Sequence, residues 1–415
     1  MPAITVIGLQ WGDEGKGKVA AYFSRGARLA VRFNGGPNAG HTIFYGGKVL
    51  RMHLVPAGGV VCGAAAICAG VLVDLKVLRE ELEEVRSVRG EIDVYLSPRA
   101  SVIRPSARAA EDFLEGLKGS RAIGTTRRGI GPTSVERAAR LAIRVADLLE
   151  PDTLVSKLRE LKGFWRLDGT EPEAEARELV ESFEWLGVKV VETGPVISDV
   201  LGAGGLVVFE GAQGTMLDLL FGTYPYVTSS FTTSASAAIG CGVPFRSLGK
   251  VVGVAKAYTT RVGSGPFPTE MHGEVAERIR SAGGEYGATT GRPRRIGWLD
   301  IPQLRYAVEL NGVDSVFMTR IDTLSGLEKV KVCVSYENAA RFPEDLKALE
   351  SVRPRYVELE GWPRIDDAER ARLMKEGYGA LHPNARRYVE FVESELGVPV
   401  SHVGIGPAIE EVLER

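Results

Sequence analysis

The sequence contains few of the residues that build disulfides and zinc centres. It has four cysteines and five histidines in 415 residues, and neither set shows the spacing of a zinc site. No two cysteines form a CxxC pair, so we expect buried, reduced thiols that serve as small apolar side chains. The four are Cys62, Cys68, Cys241 and Cys333.

Long apolar runs and an excess of charge of one sign are also missing. No stretch of about 18 apolar residues predicts a membrane span, and the first apolar segment is too short for a signal peptide. The net charge is −2, which gives no strong field to attract nucleic acid or an anionic membrane. With 44% hydrophobic and 25% charged residues, the composition is that of a globular protein. We therefore expect a cytoplasmic protein without nucleic-acid or membrane partners.

Strand-like and helix-like segments alternate along the chain. This alternation predicts an α/β fold with a large, mostly parallel, doubly wound central sheet flanked by helices, and with long loops for an active site. No linker or repeat divides the chain, so we expect a single domain over residues 1–415. The predicted strands are 3–9, 28–33, 66–73, 92–96, 187–191, 205–209, 250–257, 314–319, 329–335 and 398–403. The predicted helices are 74–87, 106–117, 153–162, 172–186, 298–310 and 384–396.

The most informative motif is the glycine-rich loop GDEGKGK, from Gly12 to Lys18. It has the GxxxxGK spacing of a P-loop, follows a predicted strand and precedes a plausible helix. Glycines let successive backbone N–H groups converge on phosphate oxygens, and the helix N-terminus adds a positive dipole. The loop therefore predicts a binding site for a nucleotide triphosphate.

Two features separate this loop from the usual P-loop. Val19 stands where Ser or Thr normally binds magnesium, and Asp13 and Glu14 lie inside the phosphate cradle. A carboxylate there repels phosphate unless a metal or a proton transfer requires it. Asp13 is thus a candidate magnesium ligand, general base or both. For Glu14, the alternative is a purely structural role in the loop.

Two further loops follow predicted strands of the sheet. Segment 33–42 is rich in Gly and Asn and contains His41, either an acid/base group or a surface residue of a turn. Segment 209–218 places Glu210 and Gln213 at the carboxyl end of a strand, where open α/β sheets bind their ligands.

Three other segments suit anionic or nucleotide ligands. Residues 123–133 combine hydroxyls, glycines and arginines, which suits a phosphomonoester. Residues 288–295, ATTGRPRR, suit a carboxylate or phosphate, the alternative being a solvated basic surface. Asp322 follows a strand, and its carboxylate can accept two N–H donors from a guanine edge, which adenine does not offer.

These sites together predict phosphoryl transfer coupled to the joining of two molecules. A GTP-binding switch without ligation is a second hypothesis, against which the two additional anion-binding segments argue. A kinase-type or amide-forming enzyme that uses ATP is a third, against which Asp322 argues.

Seven motifs of the chain resemble, in the same order, those of the adenylosuccinate synthetase family. They are QWGDEGKGK, GGPNAGHT, IGTTRRGIGPT, FEGAQGTMLD, GTYPYVTSS, KAYTTRVGSGPFPTE and ATTGRPRRIGWLD. The resemblance covers nearly the whole chain. It implies ligation of IMP and L-aspartate to adenylosuccinate, with GTP converted to GDP and phosphate, through a 6-phosphoryl-IMP intermediate. This reaction is the first committed step from IMP to AMP. The resemblance also implies one Mg²⁺ per subunit and a homodimer.

The resemblance assigns roles to individual residues. Asp13 matches the base that takes the N1 proton of IMP, and His41 matches the proton donor at the β-γ bridging oxygen of GTP. Lys16 and Gln213 complete the catalytic set, and magnesium is bound by Asp13 and the carbonyl of Gly40. The GTP-binding positions are Gly12, Asp13, Glu14, Gly15, Lys16, Gly17, Lys18, Arg294, Arg320, Ile321, Asp322, Gly404, Ile405 and Gly406.

Two further sets complete the implied site. The IMP-binding positions are Asp13, Glu14, Gly15, Lys16, Asn38, Ala39, Gly40, His41, Thr126, Arg140, Gln213, Thr228 and Arg292, with Arg140 reaching across the dimer interface. The aspartate-binding positions are Ala288, Thr289, Thr290, Gly291, Arg292, Pro293 and Arg294. Two departures from the family pattern concern guanine: Arg320 stands where many members have Lys, and residues 404–406 lack the Ser or Thr hydroxyls common there.

Overall fold

The structure is a computed structural model that describes residues 2–118, 125–286, 291 and 293–415. Its strands are β1 Ala3–Gly8, β2 Leu29–Arg32, β3 His41–Tyr45, β4 Lys48–Met52, β5 Ala64–Ile67, β6 Leu72–Val73, β7 Asp93–Leu96, β8 Ser101–Val102, β9 Lys189–Val190, β10 Val207–Gly214, β11 Lys250–Lys256, β12 Thr259–Arg261, β13 Glu270–Met271, β14 Arg295–Gly297, β15 Leu299–Asp300, β16 Ser315–Thr319, β17 Lys329–Tyr336, β18 Pro354–Glu360, β19 Val400–Gly404 and β20 Val412–Glu414. Its helices are α1 Lys16–Phe23, α2 Ala57–Cys62, α3 Leu75–Arg89, α4 Ala107–Lys118, α5 Ile130–Ala139, α6 Pro151–Trp165, α7 Pro172–Glu184, α8 Thr193–Gly202, α9 Ala235–Cys241, α10 Glu274–Gly283, α11 Ile301–Asn311, α12 Leu346–Ser351, α13 Asp367–Glu376 and α14 Pro383–Leu396.

A ten-stranded sheet in the order β20-β19-β16-β11-β1-β10-β2-β5-β7-β9 forms the centre of the molecule. Its strands run parallel except for β20, which pairs antiparallel with β19. β1, β10 and β11 are almost wholly buried, as expected for parallel strands covered on both faces. The predicted doubly wound α/β fold is confirmed.

The winding of the chain makes β1 the centre of the sheet. After β1 the chain adds β2, β5, β7 and β9 on one side, then returns to insert β10 between β1 and β2. It continues through β11, β16 and β19 on the other side. Ligands of open α/β sheets bind where the strand order reverses, at the carboxyl ends of the strands. The loops after β1, β10 and β16 therefore define the candidate site.

Nine of the ten predicted strands lie in this sheet. The prediction at 329–335 found a strand but not its partners, because β17 pairs with β15 and β18 in a separate sheet. The predicted strand 66–73 is broken: β5 ends at Ile67, and β6 pairs with β8 instead. The predicted helix 298–310 begins only at Ile301, where the side chain of Asp300 caps the backbone N–H of Gln303.

No helix of the described part of the chain is long and apolar enough to cross a membrane.

Candidate active site

The glycine-rich loop connects β1 to α1, as predicted. Gly12 and Gly15 have φ angles of 84° and 92°, and Gly15 is the N-cap of α1. These left-handed conformations suit glycine and turn the loop around the helix N-terminus. That end of α1 presents free N–H groups and a positive dipole to an anion.

The two acids of the loop take opposite orientations. Glu14 is fully buried, and its carboxylate accepts the N–H groups of Gln10 and Gly12 and the ammonium of Lys16. A Cβ at Gly8 or Gly214 would lie only 2.4 Å from this carboxylate. These contacts favour the structural role for the side chain of Glu14, and its predicted contacts with GTP and IMP then fall to its backbone.

Asp13 faces outward from the same loop. Its φ angle is 60°, a conformation that Asp tolerates better than most residues. Its carboxylate is 30% exposed, and Oδ2 lies 2.8 Å from Nε of Arg294. Burial alone would lower the pKa of Arg294, but the carboxylates of Asp13 and Glu285 more than offset it and raise that pKa. The predicted base therefore has a buried cation from the aspartate-binding segment as its neighbour.

His41 lies against the glycine-rich loop and is held at both ring nitrogens. A Cβ on Gly17 would be 2.9 Å from the Cβ of His41, so the two segments touch. Nδ1 lies 2.7 Å from the carboxylate of Glu210, and Nε2 lies 2.9 Å from the carbonyl of Val55. The ring is therefore held from both sides by oxygen atoms.

Glu210 contacts His41, which the sequence did not reveal. β10 continues to Gly214, so Glu210 lies inside the strand and is fully buried, not at its carboxyl end. Burial raises its pKa, but His41 and Arg32 more than offset this effect and lower it. The carboxylate is therefore ionised and orients the ring of His41.

Three residues that are predicted to bind IMP meet at the hydroxyl of Thr228. The Thr228 hydroxyl accepts the side-chain amides of Gln213, at 3.0 Å, and Asn38, at 3.5 Å. Gln213 has a φ angle of 62°, a strained conformation for this residue type that is typical of functional sites. Within the described residues, the amide oxygens of Gln213 and Asn38 are buried without a hydrogen-bond partner. Buried acceptors of this kind suit a ligand with N–H or O–H donors.

The predicted guanine segments also meet. Asp322 begins a 3₁₀ turn after β16, and its Oδ1 is buried with no hydrogen-bond partner in the part of the chain that the structure describes. Burial raises the pKa of Asp322, opposed by the charges of Arg320 and Lys18. Arg320 has a φ angle of 65° and is partly exposed, whereas Ile321 is buried.

Lys18 connects the glycine-rich loop to the C-terminal guanine segment. Its ammonium donates to the carbonyls of Gly406, at 2.6 Å, and Glu411, at 2.9 Å. Burial lowers the pKa of Lys18 to about 8. These two bonds leave one N–H of the ammonium for a phosphate oxygen. The side chain of Ile405 is fully buried, and its backbone N–H donates to the carbonyl of Glu411.

The aspartate-binding segment is described only in part. Ala288, Thr289, Thr290 and Arg292 lie outside the described residues. Gly291 has a φ angle of 65°, Pro293 forms an isolated bridge with Tyr286, and Arg294 contacts Asp13. The described end of this segment therefore reaches the glycine-rich loop.

The remaining predicted IMP-binding positions are at least partly exposed. Ala39 and Gly40 are partly exposed, and Thr126 is exposed. Arg140, at the C-cap of α5 with a φ angle of 68°, is exposed as well. A cleft beside Gly40 and His41 is also lined by residues that the sequence did not single out: Thr42, Arg51, Met52, His53 and Arg128.

Comparison with known proteins identifies the family of this chain. The family model for adenylosuccinate synthetase matches residues 5–413. Adenylosuccinate synthetase of Caldicellulosiruptor bescii is 42% identical, covering 98% of each chain. That of Symbiobacterium thermophilum is 43% identical, covering 100% of this chain and 99% of the relative.

A solved structure is similar over its full length. The structure of fully ligated adenylosuccinate synthetase from Plasmodium falciparum has a TM-score of 0.91 and 34% identity, and the match covers 100% of both chains. The family resemblance read from the motifs is thereby confirmed. The chain belongs to the adenylosuccinate synthetase family, the ligases that join IMP to L-aspartate with GTP.

Proposed function

We propose that this chain performs the ligation in two steps at the carboxyl ends of β1, β10 and β16. The γ-phosphoryl group of GTP passes to O6 of IMP, and the amine of L-aspartate then displaces that phosphate. The observation that carries this proposal is the outward carboxylate of Asp13 inside the phosphate loop, in contact with Arg294. The test is the absorbance of adenylosuccinate formed from IMP, aspartate and Mg²⁺ with GTP or ATP. Product with GTP alone supports the proposal, and no product with either nucleotide contradicts it.

Asp13 is proposed as the base of the first step. Removal of the N1 proton makes O6 of IMP nucleophilic, which requires a carboxylate beside the triphosphate. The N–H groups at the start of α1 and the ammonium of Lys16 face the charge that develops on the transferred group. Lys16 is oriented by the buried carboxylate of Glu14, so its position does not depend on the ligand.

His41 is proposed as the proton donor to the β-γ bridging oxygen. Its Nδ1 is fixed by Glu210, while Nε2 is bonded to the carbonyl of Val55. Donation to GTP therefore requires Nε2 to exchange this carbonyl for the bridging oxygen. Gln213, Asn38 and Thr228 bind IMP in this proposal, with the two partnerless amide oxygens accepting its donors.

The donor set also suits Mg²⁺, which prefers hard oxygen ligands and is often bound by one carboxylate together with substrate phosphates. No group of three or more His, Cys, Asp or Glu side chains that could hold a metal is found in the described residues, so an all-protein metal cage is not formed there. We propose that Asp13 and the carbonyl of Gly40 bind the ion. When bound, Mg²⁺ neutralises charge on the phosphate oxygens.

We propose that Asp322 makes the enzyme selective for the guanine base of GTP. Its carboxylate suits the two N–H donors of guanine, and its Oδ1 is buried with no hydrogen-bond partner among the described residues. In an Asp322→Asn variant one acceptor becomes a donor, so kcat/KM for GTP is expected to fall at least about a hundredfold. Xanthosine triphosphate, which presents one donor and one acceptor at this edge, should then be preferred. Steady-state kinetics with both nucleotides test this, and unchanged selectivity would contradict the role of Asp322.

A complete site is proposed to need two chains. Arg140 is exposed at the end of α5 and is placed by the family resemblance in the partner's IMP site. Arg140→Ala and Asp13→Asn subunits are each expected to be inactive as homodimers. Mixed by co-expression, they should recover about a quarter of the parent activity, because half of the dimers carry one intact site of two. A mixture as inactive as its components would argue against sharing.

The remaining proposals concern organisation and location. One sheet includes strands from β1 to β20, which supports a single domain over residues 1–415. Because the reaction consumes IMP and GTP, we place the enzyme in the cytoplasm.

A further inference from the structure

A buried carboxylate, Glu285, lies behind the active site. It follows α10 and is fully buried. Its Oε1 accepts the ammonium of Lys256, at 2.8 Å, and the hydroxyl of Tyr258. Its Oε2 accepts a guanidinium N–H of Arg294 at 2.6 Å. Three donors thus surround one carboxylate, and Arg294 connects it to Asp13.

Electrostatics keeps this cluster in one arrangement. Burial would raise the pKa of Glu285, but Lys256 and Arg294 more than offset it and lower the pKa to about 2. Lys256 is also fully enclosed and donates to Thr260 at 2.6 Å. With Asp13 included, the cluster has two negative and two positive groups, so loss of one leaves a buried charge without a partner.

Backbone contacts join the same residues. The N–H of Arg294 donates to the carbonyl of Glu285 at 2.9 Å, and Nε of Arg280 donates to the carbonyl of Arg294 at 3.0 Å. Glu285 therefore precedes the segment predicted to bind aspartate and is bonded to Arg294, the last residue of that segment. The guanidinium of Arg294 lies between two carboxylates, one buried and one in the phosphate loop.

We propose that Glu285 is a positioning residue that acts on the reaction through Arg294. This inference rests on the proposed role of Arg294 in binding L-aspartate. A guanidinium recognises a carboxylate best as a rigid, oriented fork, and Glu285 fixes its orientation from behind. Without that anchor, Arg294 samples other positions and captures L-aspartate less effectively. The IMP contacts assigned to Asn38, Gln213 and Thr228, which are bonded to one another, remain.

The test uses a variant that removes the buried ion pair of Glu285 and Lys256. It leaves neither residue as a buried charge without its partner. In Glu285→Gln/Lys256→Met, both charges disappear together, which buried pairs often tolerate. We expect KM for L-aspartate to rise about tenfold to a hundredfold, as is typical when a supporting partner is removed, while KM for IMP changes less than about twofold. Equal changes in both constants, or none, would overturn the proposal. Glu285→Asp keeps the charge and should show a smaller rise, which provides a readout even if the double variant does not fold.

A mutant cycle separates positioning from a structural role. If Glu285 acts through Arg294, adding the double change to Arg294→Ala should not raise KM for L-aspartate further; multiplied effects would refute the mechanism. Asp147→Asn is the control, because it breaks a carboxylate–lysine pair elsewhere in the fold, the partly buried pair with Lys157, and should leave KM for L-aspartate unchanged. An inactive parent would contradict the proposed function itself, whereas an active parent with an unaffected variant would contradict only this inference.

Discussion

An Asp13→Asn variant is expected to fold like the parent and to lose at least about a thousandfold in turnover. The amide cannot accept the N1 proton of IMP and is a poor ligand for Mg²⁺, so both proposed roles disappear together. Asn is the appropriate substitution because Asp13 has a φ angle of 60°, and Asn tolerates this conformation whereas Ala is strained there. The measurements are adenylosuccinate formation by absorbance and the thermal unfolding midpoint.

The control for this variant is Asp152→Asn, in the exposed first turn of α6. It removes the same charge outside the loop and should leave turnover unchanged. Near-parent turnover of Asp13→Asn would mean that another group takes the proton. A variant that unfolds at a much lower temperature would show instead that the contact with Arg294 is structural.

The central sheet was predictable from sequence because its strands are buried on both faces. Such strands are short, continuous apolar runs separated by helical segments, and β1 and β11 show this pattern. A pattern in one segment does not identify its partners. β17 is therefore a correctly predicted strand in a different sheet, since pairing depends on contacts far apart in sequence.

The motifs identified the residues of the site but not the direction of each side chain. Asp13 and Glu14 are adjacent acids in one loop, yet a positive φ turns the first outward, and hydrogen bonds bury the second. Lys18 occupies the lysine position of the P-loop pattern, but its ammonium is bonded to carbonyls nearly 400 residues along the chain. Sequence spacing cannot report these orientations, because they are set by tertiary contacts.

The buried partners were beyond the reach of local patterns. Glu210 and Glu285 are fully buried acids, and His41 and Lys256, which pair with them, lie on other elements of the fold. Within a motif, such a residue is indistinguishable from one that touches the ligand. Its full burial and its three or more polar contacts reveal the supporting role.

A His41→Asn variant is expected to lower kcat by about a hundredfold to ten-thousandfold while KM for IMP changes little, because an amide is far too weak an acid to transfer a proton to the leaving oxygen. Glu210→Gln should cause a smaller loss, since the ring remains but loses the carboxylate that orients it. His272→Asn, at an exposed histidine, is the matched control and should retain full activity. Steady-state kinetics and rapid-quench measurement of phosphoryl transfer from GTP should show this order. Equal activity of Glu210→Gln and the parent would mean that the orientation seen here is not the productive one, because the ring must then act without its partner on Nδ1.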